Sequence, residues 1–162
     1  ARNKKVSDLN ACVLKRPRHN KIIKELIKMN VNINYITDGD IAGALSVIGD
    51  KPKNDIYYST GGGPEGVIAA AALSCYGGQI QGRLVLNEEE KVRAKKLGIK
   101  DFNKKYNIED MIKGDVIFCA SGVTPGDLAN GVKDLGNEFE VNTFVLHKSQ
   151  NIIKSVTNVY NK

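Results

Sequence analysis

A short apolar run that ends in a polar or glycine-rich loop and then opens an amphipathic or alanine-rich helix recurs along this sequence, and that order restricts the fold more than any other feature. Residues 11–14 lead into Lys15-Arg16-Pro17-Arg18-His19 and a helix predicted over 21–29, with Ile22, Ile23, Leu26 and Ile27 on one face. Residues 33–37 meet Asp38-Gly39-Asp40 and a helix over 41–48. Residues 56–59 enter Thr60-Gly61-Gly62-Gly63-Pro64-Glu65-Gly66 and continue into a helix over 67–75. A fourth run, 116–120, precedes Ser121-Gly122-Val123-Thr124-Pro125-Gly126-Asp127. A charged helix is predicted over 87–97, and 139–160 reads as a hairpin around Ser149-Gln150-Asn151. This order predicts an α/β fold, a layered sandwich on a largely parallel or mixed sheet. The 162 residues suit a single domain. In such sheets a ligand lies outside the carboxyl ends of the strands, where all four loops are expected to fall.

Composition narrows the function classes. No stretch approaches the roughly 18 apolar residues that span a bilayer, and residues 1–9 are charged and lack the apolar core of a leader, so a cytoplasmic protein without membrane contact is expected. Cys12, Cys75 and Cys119 are far apart and set among apolar neighbours, which predicts buried free thiols rather than a disulfide framework or zinc knuckle. The net charge of +6 is spread over scattered lysines, and the chain has no tryptophan for base stacking. Nucleic acid is therefore not an expected partner.

The loops carry the chemistry. Gly61-Gly62-Gly63-Pro64-Glu65-Gly66 brings backbone N–H groups to the start of a helix, with Pro64 suited to its first turn. It is formally a G-x-G-x-x-G, but Glu65 sits where a dinucleotide pyrophosphate would lie, and the lysine of a Walker loop is missing. The alternatives are a tight turn whose glutamate complements the helix dipole, or a carboxylate that holds a divalent cation against a phosphate. Arg16-Pro17-Arg18 offers two guanidinium groups suited to a bisphosphate, or else a basic turn capping the next helix. Asp38-Gly39-Asp40 can accept from sugar hydroxyls, help hold a metal or serve as a helix cap, and Asp127 reads as a cap in a structural turn. His19 and His147 have no nucleophile or acid at triad spacing.

Taken in order, Val13-Leu14-Lys15-Arg16-Pro17-Arg18-His19, Asp38-Gly39-Asp40-Ile41-Ala42, Gly61-Gly62-Gly63-Pro64-Glu65-Gly66-Val67, Gly78-Gln79-Ile80-Gln81-Gly82-Arg83-Leu84 and Ala120-Ser121-Gly122-Val123-Thr124 resemble the class II fructose-1,6-bisphosphatases of the GlpX type. The resemblance covers the chain as the C-terminal half of such a protein; Gly63 stands where the family usually has alanine, and Pro125 where an acidic or amide residue is common. It implies the sugar-phosphatase fold of the metal-dependent, lithium-sensitive phosphatases, here as a single C-terminal domain. It also implies removal of the 1-phosphate of fructose 1,6-bisphosphate, as in gluconeogenesis, with Mn²⁺ or Mg²⁺. By position Arg16, Pro17, Arg18, Asp38, Gly39, Asp40 and Gly62 would bind substrate, and Glu65 would bind metal. Most metal-binding carboxylates would come from an N-terminal half. The resemblance further implies a homo-oligomer and sedoheptulose 1,7-bisphosphate as a second substrate. The alternative is a module that binds a sugar phosphate or a dinucleotide without hydrolysis.

Overall fold

Strand β1 (Asn10–Leu14) is apolar without alternation because it lies in the middle of a parallel sheet covered on both faces. The structure is a computed structural model that describes residues 3–162; Ala1 and Arg2, part of the charged start, lie outside them. β2 (Asn32–Ile36) and β3 (Ile56–Tyr58) flank β1, with Ala11 level with Ile33 on one side and Ile56 on the other. Ala11 and Val13 point to one face, where Ile23 and Leu26 of α1 (Asn20–Lys28) close a core over Val31. Ile27, expected on that buried face, is 56% exposed, whereas Ile23 and Leu26 pack against the core. Cys12 points the other way, toward Gly43 and Ser46 at α2 (Asp40–Leu45).

The second core forms around α3 (Gly63–Cys75). Leu45, Ala72, Leu73, Cys75, Phe118 and Leu146 are buried together there. The chain continues through α4 (Glu88–Lys96), whose Asn87 and Glu90 satisfy each other's backbone N–H groups as a capping box, and a short α5 (Ile108–Met111). A second, antiparallel sheet follows, made of β4 (Ile117–Ser121), β5 (Lys133–Asp134), β6 (Glu138–His147) and β7 (Ile152–Asn161). β6 is its spine: β7 pairs along the whole of one side, and β4 and β5 share the other. The expected hairpin is this β6–β7 pair.

Three expectations need correction. The described residues form two sheets, one wholly parallel and one wholly antiparallel, in place of one largely parallel or mixed sheet. The fourth unit differs for the same reason: β4 runs against β6, no helix follows its loop, and Asp127 pairs with Lys53 Nζ at 3.0 Å instead of capping anything. Cys12 and Cys75 are buried free thiols as expected, but Cys119 is exposed, since the pleat of β4 that puts Phe118 in the core turns its neighbour outward.

His147 and Asp115 do meet, across 32 residues, at the start of β4. Asp115 Oδ2 lies 2.7 Å from His147 Nε2 and accepts from Ser149 Oγ at 2.6 Å, while Oδ1 accepts from the N–H groups of Val116 and Ser149. Carboxylate and hydroxyl meet the same ring nitrogen, and the hydroxyl donates to the acid, so this is no nucleophile relay. It fastens β4 to the hairpin turn. The Ser149 hydroxyl first, then His147, hold the Asp115 carboxyl far below the ordinary carboxylate range.

Candidate functional site

The carboxyl ends of β1, β2 and β3 release three loops on one rim of the parallel sheet. After β1, Lys15 leaves the strand by donating its N–H to Ile36 O, and Pro17–His19 form a 3-10 turn. Arg16 and Arg18 are exposed on that turn, while His19 beneath them is 1% exposed. The alternative of a basic turn capping α1 fails, because no side chain caps that helix. Arg18 instead reaches across the rim, its Nε donating to Thr60 O at 2.5 Å.

After β2, Gly39 takes φ 84°, a left-handed conformation that costs glycine little, and its N–H donates to Asp38 Oδ1 at 2.8 Å. Gly39 is also the residue that precedes α2, so neither aspartate caps it by a side-chain bond. Asp40 is used differently. Its Oδ1 accepts from Tyr57 OH at 2.5 Å and from Ser59 Oγ at 2.6 Å, both from β3 and the loop beyond it. Partial burial works to raise the Asp40 carboxyl, but the Ser59 and Tyr57 hydrogen bonds and the Arg18 charge outweigh it and hold the group below the usual carboxylate range. Burial and the same bond push the Tyr57 phenol up. Oδ2 is turned toward the glycine loop: a methyl on Gly61 would stand 3.4 Å from it.

After β3, α3 begins at Gly63, four residues earlier than the apolar pattern alone predicts, because Pro64 fits the first turn. Glu65, in that turn, folds back so that its carboxylate fills the space a Cβ would take at Gly62. The negative end therefore covers the amides that a dinucleotide pyrophosphate would need. The same carboxylate suits a hard divalent cation, which takes about six oxygen ligands. Among the described residues no three His, Cys, Asp or Glu side chains gather as a metal site, so Glu65 would fill only part of such a shell.

Asp38 and Gly39, with Asp127 from the fourth loop, line a cavity of about 160 Å³ that excludes Arg16, Arg18, Gly62 and Glu65. That is smaller than the roughly 300–1,000 Å³ of ordinary small-molecule pockets. The rim is an open, shallow surface. Of the sequence-predicted residues, contacts tie Arg18 to the glycine loop and bring Asp40 beside Gly61, while Gly62 and Glu65 touch each other. The Arg16 side chain donates to its neighbour's carbonyl, Lys15 O, its own carbonyl accepts from the His19 N–H, and Pro17 shapes the turn. Tyr57, Ser59 and His19 were not expected. A strand ending in hydroxyl residues was the available signal for the first two, and a histidine closing the basic turn for the third.

Comparison with known proteins places this geometry. The family described as bacterial fructose-1,6-bisphosphatase, glpX-encoded, matches residues 1–160. A fructose-1,6-bisphosphatase class 2 from Haemophilus influenzae is 33% identical, the match covering 97% of this chain and 51% of the relative. A D-fructose 1,6-bisphosphatase class 2/sedoheptulose 1,7-bisphosphatase from Synechococcus sp. strain JA-3-3Ab is also 33% identical, over 99% of this chain and 50% of the relative. The chain thus spans about half the length of the curated relatives it matches, corresponding to their C-terminal halves.

Proposed function

Because the chain belongs to the bacterial, glpX-encoded fructose-1,6-bisphosphatase family, we propose that it supplies the sugar-phosphate-binding half of a phosphatase that hydrolyses fructose 1,6-bisphosphate at its 1-phosphate. The observation that carries this reading is the joining of the three loops: Arg18 bonds the loop after β3, and Asp40 is held by Tyr57 and Ser59 beside Gly61. Sedoheptulose 1,7-bisphosphate, named for the Synechococcus relative, has the same two-phosphate chemistry and is a second substrate on this reading.

Arg16 and Arg18 grip the phosphate remote from the reaction, and that binding energy positions the reacting end. Asp40, with Oδ1 already occupied by two donors, keeps Oδ2 to accept from a sugar hydroxyl, and Asp38 and Gly39 border it. Gly62 meets the sugar through its backbone at the start of α3 once the Glu65 carboxylate, which lies over it, turns to the cation. Glu65 takes one position in the shell of a divalent cation, Mn²⁺ or Mg²⁺, which when bound supplies charge stabilisation and an activated water for cleavage of the phosphorus–oxygen bond. The remaining ligands come from an N-terminal half, giving the arrangement of the sugar-phosphatase fold. Apolar side chains await a cover of that kind on the edge strand β3 and the first turns of α3, where Ile56, Tyr58, Val67 and Ile68 are each more than 40% exposed. The whole protein on this reading is a cytoplasmic homo-oligomer of gluconeogenesis.

The test is phosphate release from fructose 1,6-bisphosphate by the chain alone and together with the N-terminal half of the Haemophilus influenzae relative, with Mn²⁺ and with chelator. Metal-dependent release whose Mn²⁺ requirement rises in Glu65→Gln is the expected result in the paired protein. Release indifferent to that substitution removes Glu65 from the metal shell, and the absence of both release and bisphosphate binding removes the reading.

A further inference from the structure

The basic turn contains a residue that the proposed chemistry does not use. His19 is 1% exposed, and its ring is held at both nitrogens. The Thr60 N–H donates to Nε2 at 2.8 Å, which makes that nitrogen the acceptor and leaves Nδ1–H to donate to Leu14 O at 2.6 Å. The ring is thus anchored on the last residue of β1 and presents its far edge to a loop 41 residues away. Arg18, the preceding residue, donates from Nε to Thr60 O, so consecutive side chains of the basic turn hold both sides of Thr60. The Tyr58 ring closes on His19 edge to face, centroids 6.4 Å apart. Thr60 is two residues before Gly62, which precedes α3 and lies under the Glu65 carboxylate.

We propose that His19 is a positioning residue: through Thr60 it couples the arginine turn to the glycine loop, so that an anion gripped by Arg16 and Arg18 orders the backbone that carries Gly62 and Glu65. Arg18 can take part in both events, since only its Nε is committed to Thr60 and its terminal nitrogens keep the donors for a phosphate. A buried imidazole with both nitrogens bonded cannot swing to a second position without leaving an unpaired group behind. It therefore transmits a shift of the turn rather than absorbing it. This inference rests on the reading that the turn binds phosphate.

Two substitutions separate the two bonds of the ring. His19→Asn keeps a donor near Leu14 O but is too short to reach Thr60, whereas His19→Gln can present its carbonyl to the Thr60 N–H. The measurement is amide hydrogen exchange at Thr60 and across 59–63 in the full chain, with no addition, with fructose 1,6-bisphosphate and with inorganic phosphate, alongside thermal melting. Wild-type exchange at Thr60 should slow when the bisphosphate is added. In His19→Asn basal exchange should rise roughly fivefold or more, the worth of one buried hydrogen bond, and the slowing by ligand should vanish. His19→Gln should restore both. Ligand-induced slowing that survives in His19→Asn overturns the coupling, as does a folded His19→Gln that behaves like His19→Asn. If neither anion changes wild-type exchange, the phosphate reading falls on its own; equal basal exchange in wild type and His19→Asn would then overturn the tie through His19, and faster exchange in the variant would uphold it.

Discussion

Gly43→Ala sets two rules against each other, and the structure decides between them. At an exposed position in a helix such as α2 the change would gain about 1 kcal/mol from backbone propensity. Gly43 is buried, however, and a methyl there would meet Tyr57 Cε2 at 2.5 Å, Ile36 Cδ1 at 2.8 Å and Tyr57 Cζ at 2.9 Å. Ile36 can turn its terminal methyl away, but the Tyr57 ring is tethered by the hydroxyl it donates to Asp40 Oδ1 at 2.5 Å. Overpacking of this kind costs about 1–3 kcal/mol. Pulling the hydroxyl off a carboxylate adds about 1.5 kcal/mol, the lower end of the range for charged acceptors, because Asp40 is only half-buried. The net expectation is a loss of about 2 kcal/mol, opposite in sign to the propensity rule. Urea unfolding at unchanged m-value measures it. The mechanism is tested by repeating the substitution in Tyr57→Phe, where the hydroxyl has already gone and Gly43→Ala should cost about 1.5 kcal/mol less. A Gly43→Ala chain as stable as wild type, or strict additivity in the double variant, would show that the ring is not held as described.

Tyr57→Phe alone should cost about 1.5 kcal/mol and raise the Asp40 carboxyl toward its ordinary value, since one of the two donors that lower it is removed; NMR titration of the Asp40 side chain checks this. Asp115 has a depressed carboxyl in the folded state, so the unfolded chain binds more protons and the contribution of Asp115 to stability is present above the ordinary value of 3.8 and lost as pH falls below it. The stability gap between wild type and Asp115→Asn should accordingly be full near neutrality and shrink only in strong acid, as followed by melts from pH 7 to pH 2. Glu65→Gln should raise the Mn²⁺ concentration for half-maximal phosphate release by the paired protein ~10–100-fold while leaving the melting of the chain alone nearly unchanged, because Glu65 is exposed.

Local chemistry was legible where it was written in consecutive residues. The uninterrupted apolar run of β1 identified a strand, and Gly63-Pro64 marked the start of the helix that follows β3. The charged first and last turns of α4 and the turn at Ser149-Gln150-Asn151 were equally plain. What stayed hidden depends on which segments meet. Residues 117–121 have the composition of a parallel strand, and only the register against β6 makes them antiparallel and turns Cys119 outward. At the site, Arg16, Arg18, Asp38, Asp40, Gly62 and Glu65 stand in loops that the pattern marks. The bonds that orient them join His19 to Thr60 and Asp40 to Tyr57, pairs with no fixed spacing. The sequence beside His19 carries no nucleophile to mark it, and its partners are two main-chain groups that no side-chain pattern can signal.

Helix α3 is unequally held along its length. Its 13 residues span about 20 Å. The last turns are embedded among Leu45, Phe118 and Leu146, while Val67 and Ile68 near its start are 42% and 43% exposed. Such a rod is clamped at one end, and its loose end carries Gly62 and Glu65. Fraying of the first turn breaks few apolar contacts, so it requires far less free energy than melting of the whole molecule. Heat or mild denaturant should therefore blunt cation capture before any global unfolding signal moves, and a crosslink across the open turn would separate endurance of function from endurance of fold.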